Sequence, residues 1–76
     1  ILLIPKNHIR SINELGEPEQ NLAGELLLTA KKIAKDEGID ESGFRAIFNT
    51  NFDGGQTVFH IHMHILGGRK MAWPPG

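Results

Sequence analysis

Three of the four histidines in the chain stand at alternate positions, His60, His62 and His64. Alternate side chains of a strand point to one face, so the three imidazoles are expected to line a common surface. The opposite face is mostly apolar and is expected to be the core side; it comprises Thr57, Phe59, Ile61, Met63 and Ile65. Imidazole can attack phosphorus, transfer protons near neutral pH or bind a metal. The histidine row therefore predicts a chemical site.

The sequence disfavours two interpretations of this row. A merely solvated face would not place three of four histidines within five residues of a strand that otherwise selects Phe, Ile and Met. A single zinc site is disfavoured because alternate residues step about 6.6 Å along a strand, which separates the His60 and His64 backbones by about 13 Å. Zinc needs its nitrogens about 2.0–2.1 Å from one point. We therefore expect neither a metal nor another cofactor.

Nucleophilic and acid–base catalysis on a phosphate ester is the third interpretation, and the adjoining loop favours it. One histidine can attack, a second can hold or protonate the leaving side, and a third can orient the attacker. The loop Gly54–Thr57 offers backbone N–H groups, an amide and a hydroxyl, which are ligands for phosphate oxygens. Arg69 and Lys70 are expected to add positive charge. The loop and the histidines together predict a phosphate site.

A long amphipathic helix is predicted over Pro18–Glu37. Pro18 suits a first helical position, since its missing N–H would be unpaired there, and Gly38 is the expected end signal. Apolar residues recur at helical spacing and form one stripe, which comprises Leu22, Ala23, Leu26, Leu27, Ala30, Ile33 and Ala34. This stripe is expected to cover a sheet.

Three strands are predicted around the helix. The apolar run Ile1–Ile4, stopped by Pro5, suits a strand buried on both faces. Residues 44–48 alternate and predict a strand with one apolar face. The histidines are placed on a third strand, Thr57–Leu66, and the residues between the last two strands have turn chemistry.

Length and composition limit the classes of protein to which the chain can belong. The chain has 76 residues, a formal net charge of -1 and no cysteine, so it predicts one domain with no disulfide and no thiol nucleophile. The charge balance argues against binding to duplex nucleic acid. The run Ile1–Ile4 is too short for a signal peptide or a membrane span, so we expect a cytoplasmic protein with no membrane partner. Because the chain opens inside an apparent strand without methionine, we expect an N-terminal portion to be absent.

Three segments of the chain resemble one family. His60–Leu66 (His-Ile-His-Met-His-Ile-Leu) is similar to the histidine triad motif, His-x-His-x-His followed by apolar residues. The tail Gly67–Gly76 (Gly-Gly-Arg-Lys-Met-Ala-Trp-Pro-Pro-Gly) and Ile4–His8 (Ile-Pro-Lys-Asn-His) resemble the histidine triad nucleotide-binding proteins, the Hint branch. The resemblance covers essentially the whole chain, and the triad with this tail is specific to that branch.

The resemblance implies an α+β fold, with an antiparallel sheet and one long helix, in a homodimer whose two sheets join. It implies binding of a purine nucleotide such as AMP or GMP. The implied reaction is hydrolysis of the P–N bond of purine nucleoside 5′-phosphoramidates through a covalent nucleotidyl-histidine.

The resemblance also assigns a role to each matching residue. His62 is expected to attack the α-phosphorus, His64 to contact the phosphate and assist the leaving group, and His60 to orient His62. His8 is expected to support the site as a fourth histidine. The remaining expected substrate contacts are Asn49, Gly55, Gln56 and Thr57, with Trp73 near the partner subunit's site.

Two departures from the family pattern bear on these expectations. Family members carry a further N-terminal stretch, so residues 1–76 are expected to be the C-terminal major part of a single domain with the N-terminal strands missing. Some relatives bind structural zinc through a Cys-x-x-Cys pair and the equivalents of His8 and His60, but this chain has no cysteine. The alternative to an enzyme is a non-catalytic nucleotide-binding or interaction module, and the presence of His62 favours the enzyme.

Overall fold

A three-stranded antiparallel sheet carries the histidine segment at its centre. The computed structural model describes all 76 residues. Its strands are β1 (Leu2–Leu3), β2 (Phe44–Phe48) and β3 (Met63–Gly67), in the spatial order β1-β3-β2. The register pairs Leu3 with Met63 on one side and Phe48 with Met63 on the other. With one helix on the sheet, this is the expected α+β fold.

The helix lies close to its predicted range. A 3₁₀ turn over Glu17–Glu19, which contains Pro18, leads into helix α1 (Gln20–Asp36). Gly38 ends the helix with φ +74°, a conformation that glycine adopts without steric cost. Its N–H donates to the carbonyl of Lys35 at 3.0 Å, and the N–H of Ile39 reaches back to that of Ala34 at 2.9 Å. A second 3₁₀ turn spans Ile12–Glu14.

The core forms where one stripe of α1 meets the central strand. Leu26 and Ala30 of the helix pack with Met63 and Ile65 of β3. The predicted stripe holds along most of its length, but Leu27 is 61% exposed and so lies outside it. Burial of one large apolar side chain contributes about 1.5–3 kcal/mol, so this small cluster is the main source of cohesion between helix and sheet.

Two strand predictions are wrong in extent. The strand β1 covers only Leu2–Leu3, and the residues Leu2 and Ile4 are exposed rather than buried on both faces. The strand β3 begins at Met63 instead of Thr57. Neither neighbouring strand continues far enough to pair with the earlier residues, because β1 ends at Leu3 and β2 ends at Phe48.

The segment before β3 therefore follows its own course. Residues 58–60 bend, and Thr57 and Phe59 are exposed although both were expected on the core side. The segment rejoins the fold at Ile61, whose N–H donates to the carbonyl of Ile9 at 2.6 Å. None of the helices has the length and apolar character needed to span a bilayer.

Candidate functional site

The three histidines alternate with core residues, as the sequence predicts. Ile61, Met63 and Ile65 are buried, with 2%, 0% and 3% exposure, while the intervening imidazoles are half-buried. Of the three histidines, His64 alone lies inside β3, opposite Leu2 on one side and Ile47 on the other. His62 lies just before the strand and its ring contacts that of His64, whereas His60 lies at the end of the bend and its ring contacts His8.

The four imidazole rings of the chain form two pairs. The rings of His62 and His64 meet edge to face, with centroids 5.0 Å apart. The rings of His8 and His60 meet in the same way at 5.1 Å. The fourth histidine, which lies more than fifty residues earlier in the chain, is thus brought next to the first member of the row.

Backbone carbonyls define which nitrogen of each ring carries the proton. Nδ1 of His62 lies 2.7 Å from the carbonyl oxygen of His60. A carbonyl can only accept, so Nδ1–H donates and Nε2 of a neutral His62 carries the free lone pair. Nε2 of His60 lies 3.0 Å from the carbonyl oxygen of Pro5 and is assigned as a donor by the same argument. His60 thus holds His62 through its backbone, while its own ring is tied to Pro5.

The predicted phosphate loop is a turn closed by hydrogen bonds from two of its own backbone N–H groups. The N–H of Gly55 donates to Phe52 and that of Gln56 donates to Asn51, each at 3.0 Å. Asn51 adopts the left-handed conformation, φ +57°, which asparagine tolerates. Thr57 is exposed, and neither its N–H nor its hydroxyl makes a hydrogen bond within the chain. In this conformation Thr57 keeps both its N–H and its hydroxyl free, and the N–H of Gly54 is free as well.

The Gln56 side chain is one of only two buried polar side chains in the chain. Its Oε1 accepts from the N–H of Asn51 at 2.9 Å. Its Nε2 donates to the carbonyl of Arg10 at 2.8 Å and to that of Val58 at 3.1 Å. Asn51 and Val58 lie within five residues of Gln56, whereas Arg10 is 46 residues away, so the amide joins the loop to the Arg10 segment.

Asn49 and Trp73, two further predicted site residues, are placed differently. Asn49 is half-buried and directly follows Phe48, the last residue of β2, which pairs with Met63. Its side chain makes no hydrogen bond within the chain. Trp73 is 83% exposed in the tail, and it forms no aromatic pair with a histidine. The guanidinium of Arg45 donates to the carbonyl of Ala72 and anchors this tail.

The predicted contribution of Arg69 and Lys70 to the phosphate loop does not fit the structure. Both line a cavity of about 210 Å³ together with Arg45. This cavity lies where Phe44 pairs with Gly67, at the opposite end of the β2–β3 ladder from the histidines. The two ends are four residues apart, which is roughly 14 Å.

Sequence reasoning missed the backbone carbonyls that shape the site, which include those of Pro5, Ile9, Arg10 and His60. A backbone carbonyl has no signature in the sequence, so no signal was available. The sequence also gave no indication of the contact of the Arg10 side chain, whose guanidinium stacks 4.1 Å from the centre of the Phe59 ring. No three His, Asp or Glu side chains are grouped so that they could hold a metal ion.

The structure thus combines a row of half-buried histidines with an antiparallel sheet and one long helix. The HIT domain model matches residues 1–71, so the chain belongs to the HIT domain family.

Individual relatives agree with this assignment. The chain is 54% identical over all 76 residues to an uncharacterised HIT-like protein of Synechococcus elongatus, and 47% identical to one of Synechocystis; it spans 66% of the length of each. Among solved structures, a HIT family hydrolase from Legionella pneumophila superposes with a TM-score of 0.96 at 52% identity, over 99% of this chain and 67% of that one. A histidine triad protein from Clostridium difficile gives 0.88 at 41% identity, over 93% of this chain and 62% of that one. These matches confirm the predicted fold.

Proposed function

We propose that the protein is a nucleotide-binding hydrolase of the Hint branch that cleaves the P–N bond of purine nucleoside 5′-phosphoramidates. The observation that carries the proposal is the contact of His62 Nδ1 with the His60 carbonyl at 2.7 Å. In a neutral His62 this contact places the proton on Nδ1 and leaves the lone pair on Nε2, the nitrogen that the backbone carbonyl does not contact. A related protein described as a HIT family hydrolase, with 52% identity and a TM-score of 0.96, supports the hydrolase class.

The reaction proceeds in two displacements on phosphorus. Nε2 of His62 attacks the α-phosphorus, a nitrogen–phosphorus bond forms, and the bond from phosphorus to the substrate nitrogen breaks. The departing nitrogen takes up a proton from His64 and leaves as an amine; the attacking water returns a proton to His64 in the second step. Water then attacks the same phosphorus, which releases the nucleoside monophosphate and regenerates the His62 lone pair.

The neighbouring residues supply contacts to the phosphate. His64, whose ring lies 5.0 Å from that of His62, contacts a phosphoryl oxygen and assists the leaving nitrogen. Thr57 offers its free N–H and hydroxyl, and Asn49 offers its unbonded amide from the end of β2. Preorganised donors of this kind stabilise the negative charge that develops on the phosphoryl oxygens. Gly55 and Gln56 form the wall of the phosphate site.

The remaining elements of the proposal concern the whole protein. Residues 1–76 form the C-terminal major part of a single HIT domain, and the chain spans 66% of the length of the curated relatives. The protein acts in the cytoplasm as a homodimer, and the exposed Trp73 lies near the site of the partner subunit. His8 supports His60 through the edge-to-face contact of their rings.

Trapping of the covalent intermediate tests the proposal. Full-length protein is mixed with adenosine 5′-phosphoramidate, quenched in alkali after one turnover, digested and examined by mass spectrometry. We expect a nucleotidyl adduct on His62, no adduct in His62→Ala, and a normal adduct in Lys32→Ala, a control on the exposed face of α1. Nucleotide binding with no adduct and no turnover in the unaltered protein would instead identify a non-catalytic nucleotide-binding module.

A further inference from the structure

The buried side-chain amide of Gln56 makes its hydrogen bonds to other groups of the protein. The residue is 6% exposed. A carboxamide has two N–H donors and a carbonyl acceptor, and here both donors and the acceptor are bonded within the chain, at 2.8, 3.1 and 2.9 Å. No N–H of this side chain remains for a substrate.

The orientation of this amide is determined by its partners. Two of them, the carbonyls of Arg10 and Val58, can only accept, and the third, the N–H of Asn51, can only donate. An amide turned by 180° would place its oxygen against two carbonyl oxygens and its NH₂ against an N–H. The chemistry of the neighbours thus admits one orientation.

The three bonds converge around the residues that are expected to handle phosphate. The Asn51 bond spans the left-handed turn of the loop, and the backbone N–H of Gln56 itself closes the same turn on the Asn51 carbonyl at 3.0 Å. The Val58 bond lies on the other side of Thr57, two residues before His60. Thr57, whose N–H and hydroxyl are both free, is therefore held between two anchored neighbours.

We propose that Gln56 is a positioning residue and not a phosphate ligand: its amide locks the loop to the Arg10 segment so that Thr57 presents its N–H and hydroxyl to the phosphate. The proposal rests on the proposed function for the identity of the substrate. It differs from the expectation that the Gln56 side chain binds substrate. For the amide to bind a phosphoryl oxygen, it would have to give up its hydrogen bond to the carbonyl of Arg10 or Val58, which is unfavourable.

Nuclear magnetic resonance of the side-chain amide tests, without any catalysis, whether the Gln56 amide holds the loop to the Arg10 segment. The two Gln56 NH₂ resonances are assigned by their loss in Gln56→Met. In the ligand-free protein we expect slow exchange with solvent for these protons and for the Asn51 N–H, and fast exchange for Asn51 in Gln56→Met. Exchange of the Gln56 NH₂ at the rate of an exposed glutamine in the unaltered protein would overturn the proposal.

Titration with AMP distinguishes positioning from direct binding. We expect the backbone N–H resonance of Thr57 to shift as AMP binds, while the Gln56 NH₂ resonances stay in place. A shift of the Gln56 NH₂ as large as that of Thr57, or a coupling from it to phosphorus, would overturn the proposal. Absence of any response to AMP, with the slow exchange intact, would refute nucleotide binding and leave the lock standing.

A double-mutant cycle in single-turnover adduct formation gives a second, independent measurement. Because Gln56 acts through Thr57, we expect Gln56→Met to slow adduct formation about tenfold or more when Thr57 is present. In the Thr57→Val background the same change is expected to slow it less than threefold. Equal fold-losses in both backgrounds would show that Gln56 acts on the phosphate by itself and would overturn the proposal. Gln56→Glu, which keeps the acceptor and the length of the side chain, serves if Gln56→Met does not fold.

Discussion

Nδ1 of His62 donates to the backbone carbonyl of His60 at 2.7 Å, while the imidazole of His60 is bonded elsewhere, to the carbonyl of Pro5. Two neighbours in the histidine row are thus joined through the main chain. An orienting group of this kind keeps the attacking ring in one tautomer without an ionisable partner. The backbone carbonyl of His60 and the side chain of His60 therefore have different roles.

This separation predicts unequal effects of replacing the two residues. His60→Ala retains the carbonyl that orients His62, so we expect adduct formation to slow by only about tenfold, through loss of packing against His8. His62→Ala removes the nucleophile and is expected to remove the adduct entirely, with AMP binding weakened by less than tenfold. Single-turnover kinetics of the two variants check this. A loss in His60→Ala as complete as in His62→Ala would mean that the His60 ring is itself required.

Chelation of metals is expected to leave the reaction rate unchanged. The proposed route uses the lone pair of His62 and hydrogen-bond donors, and the His60 ring is turned toward Pro5 and His8. The hydrolysis rate should therefore be the same before and after dialysis against a chelator. A rate that collapses on chelation and returns with zinc would favour a metal-dependent reaction.

We expect a dimer in solution at micromolar concentration. The strand β2 is an edge strand whose outer side is unpaired, and such edges are commonly covered by a partner. Trp73 adds an exposed aromatic side chain on the tail. Sedimentation of the full-length protein should give twice the monomer mass, and Trp73→Ala should weaken the association. A monomer at all concentrations up to about 100 µM would contradict this expectation.

Truncation of the central core residue is expected to cost more stability than any change at the histidine face. Met63 is fully buried between α1 and the sheet, so Met63→Ala should lower the free energy of unfolding by about 2–5 kcal/mol. Met71, which lies in the tail and is half-buried, provides the matched control, with an expected loss below about 1.5 kcal/mol. Urea denaturation of both variants measures the difference. Equal losses would mean that the α1–β3 contact is not the main core.

The amino-acid sequence by itself determined the elements and the face that carries the chemistry. The apolar spacing in α1 predicted the helix to within two residues at each end, because burial of one stripe is a local property of the pattern. The alternation from His60 to Ile65 predicted which side chains enter the core, since neighbouring residues of an extended segment point to opposite sides. The family followed from the same histidine motif together with the tail Gly67–Gly76 and the segment Ile4–His8.

Tertiary structure decided how the site is held. The ring of His60 faces His8 and the amide of Gln56 reaches Arg10, partners that lie 52 and 46 residues away in the chain. Strand β3 starts at Met63 because its neighbours end, which is a property of β1 and β2 and not of the histidine segment. The contacts that orient the histidines and the loop are mainly to backbone carbonyls. Every residue carries that group, so residue types alone could not predict which carbonyl each side chain meets.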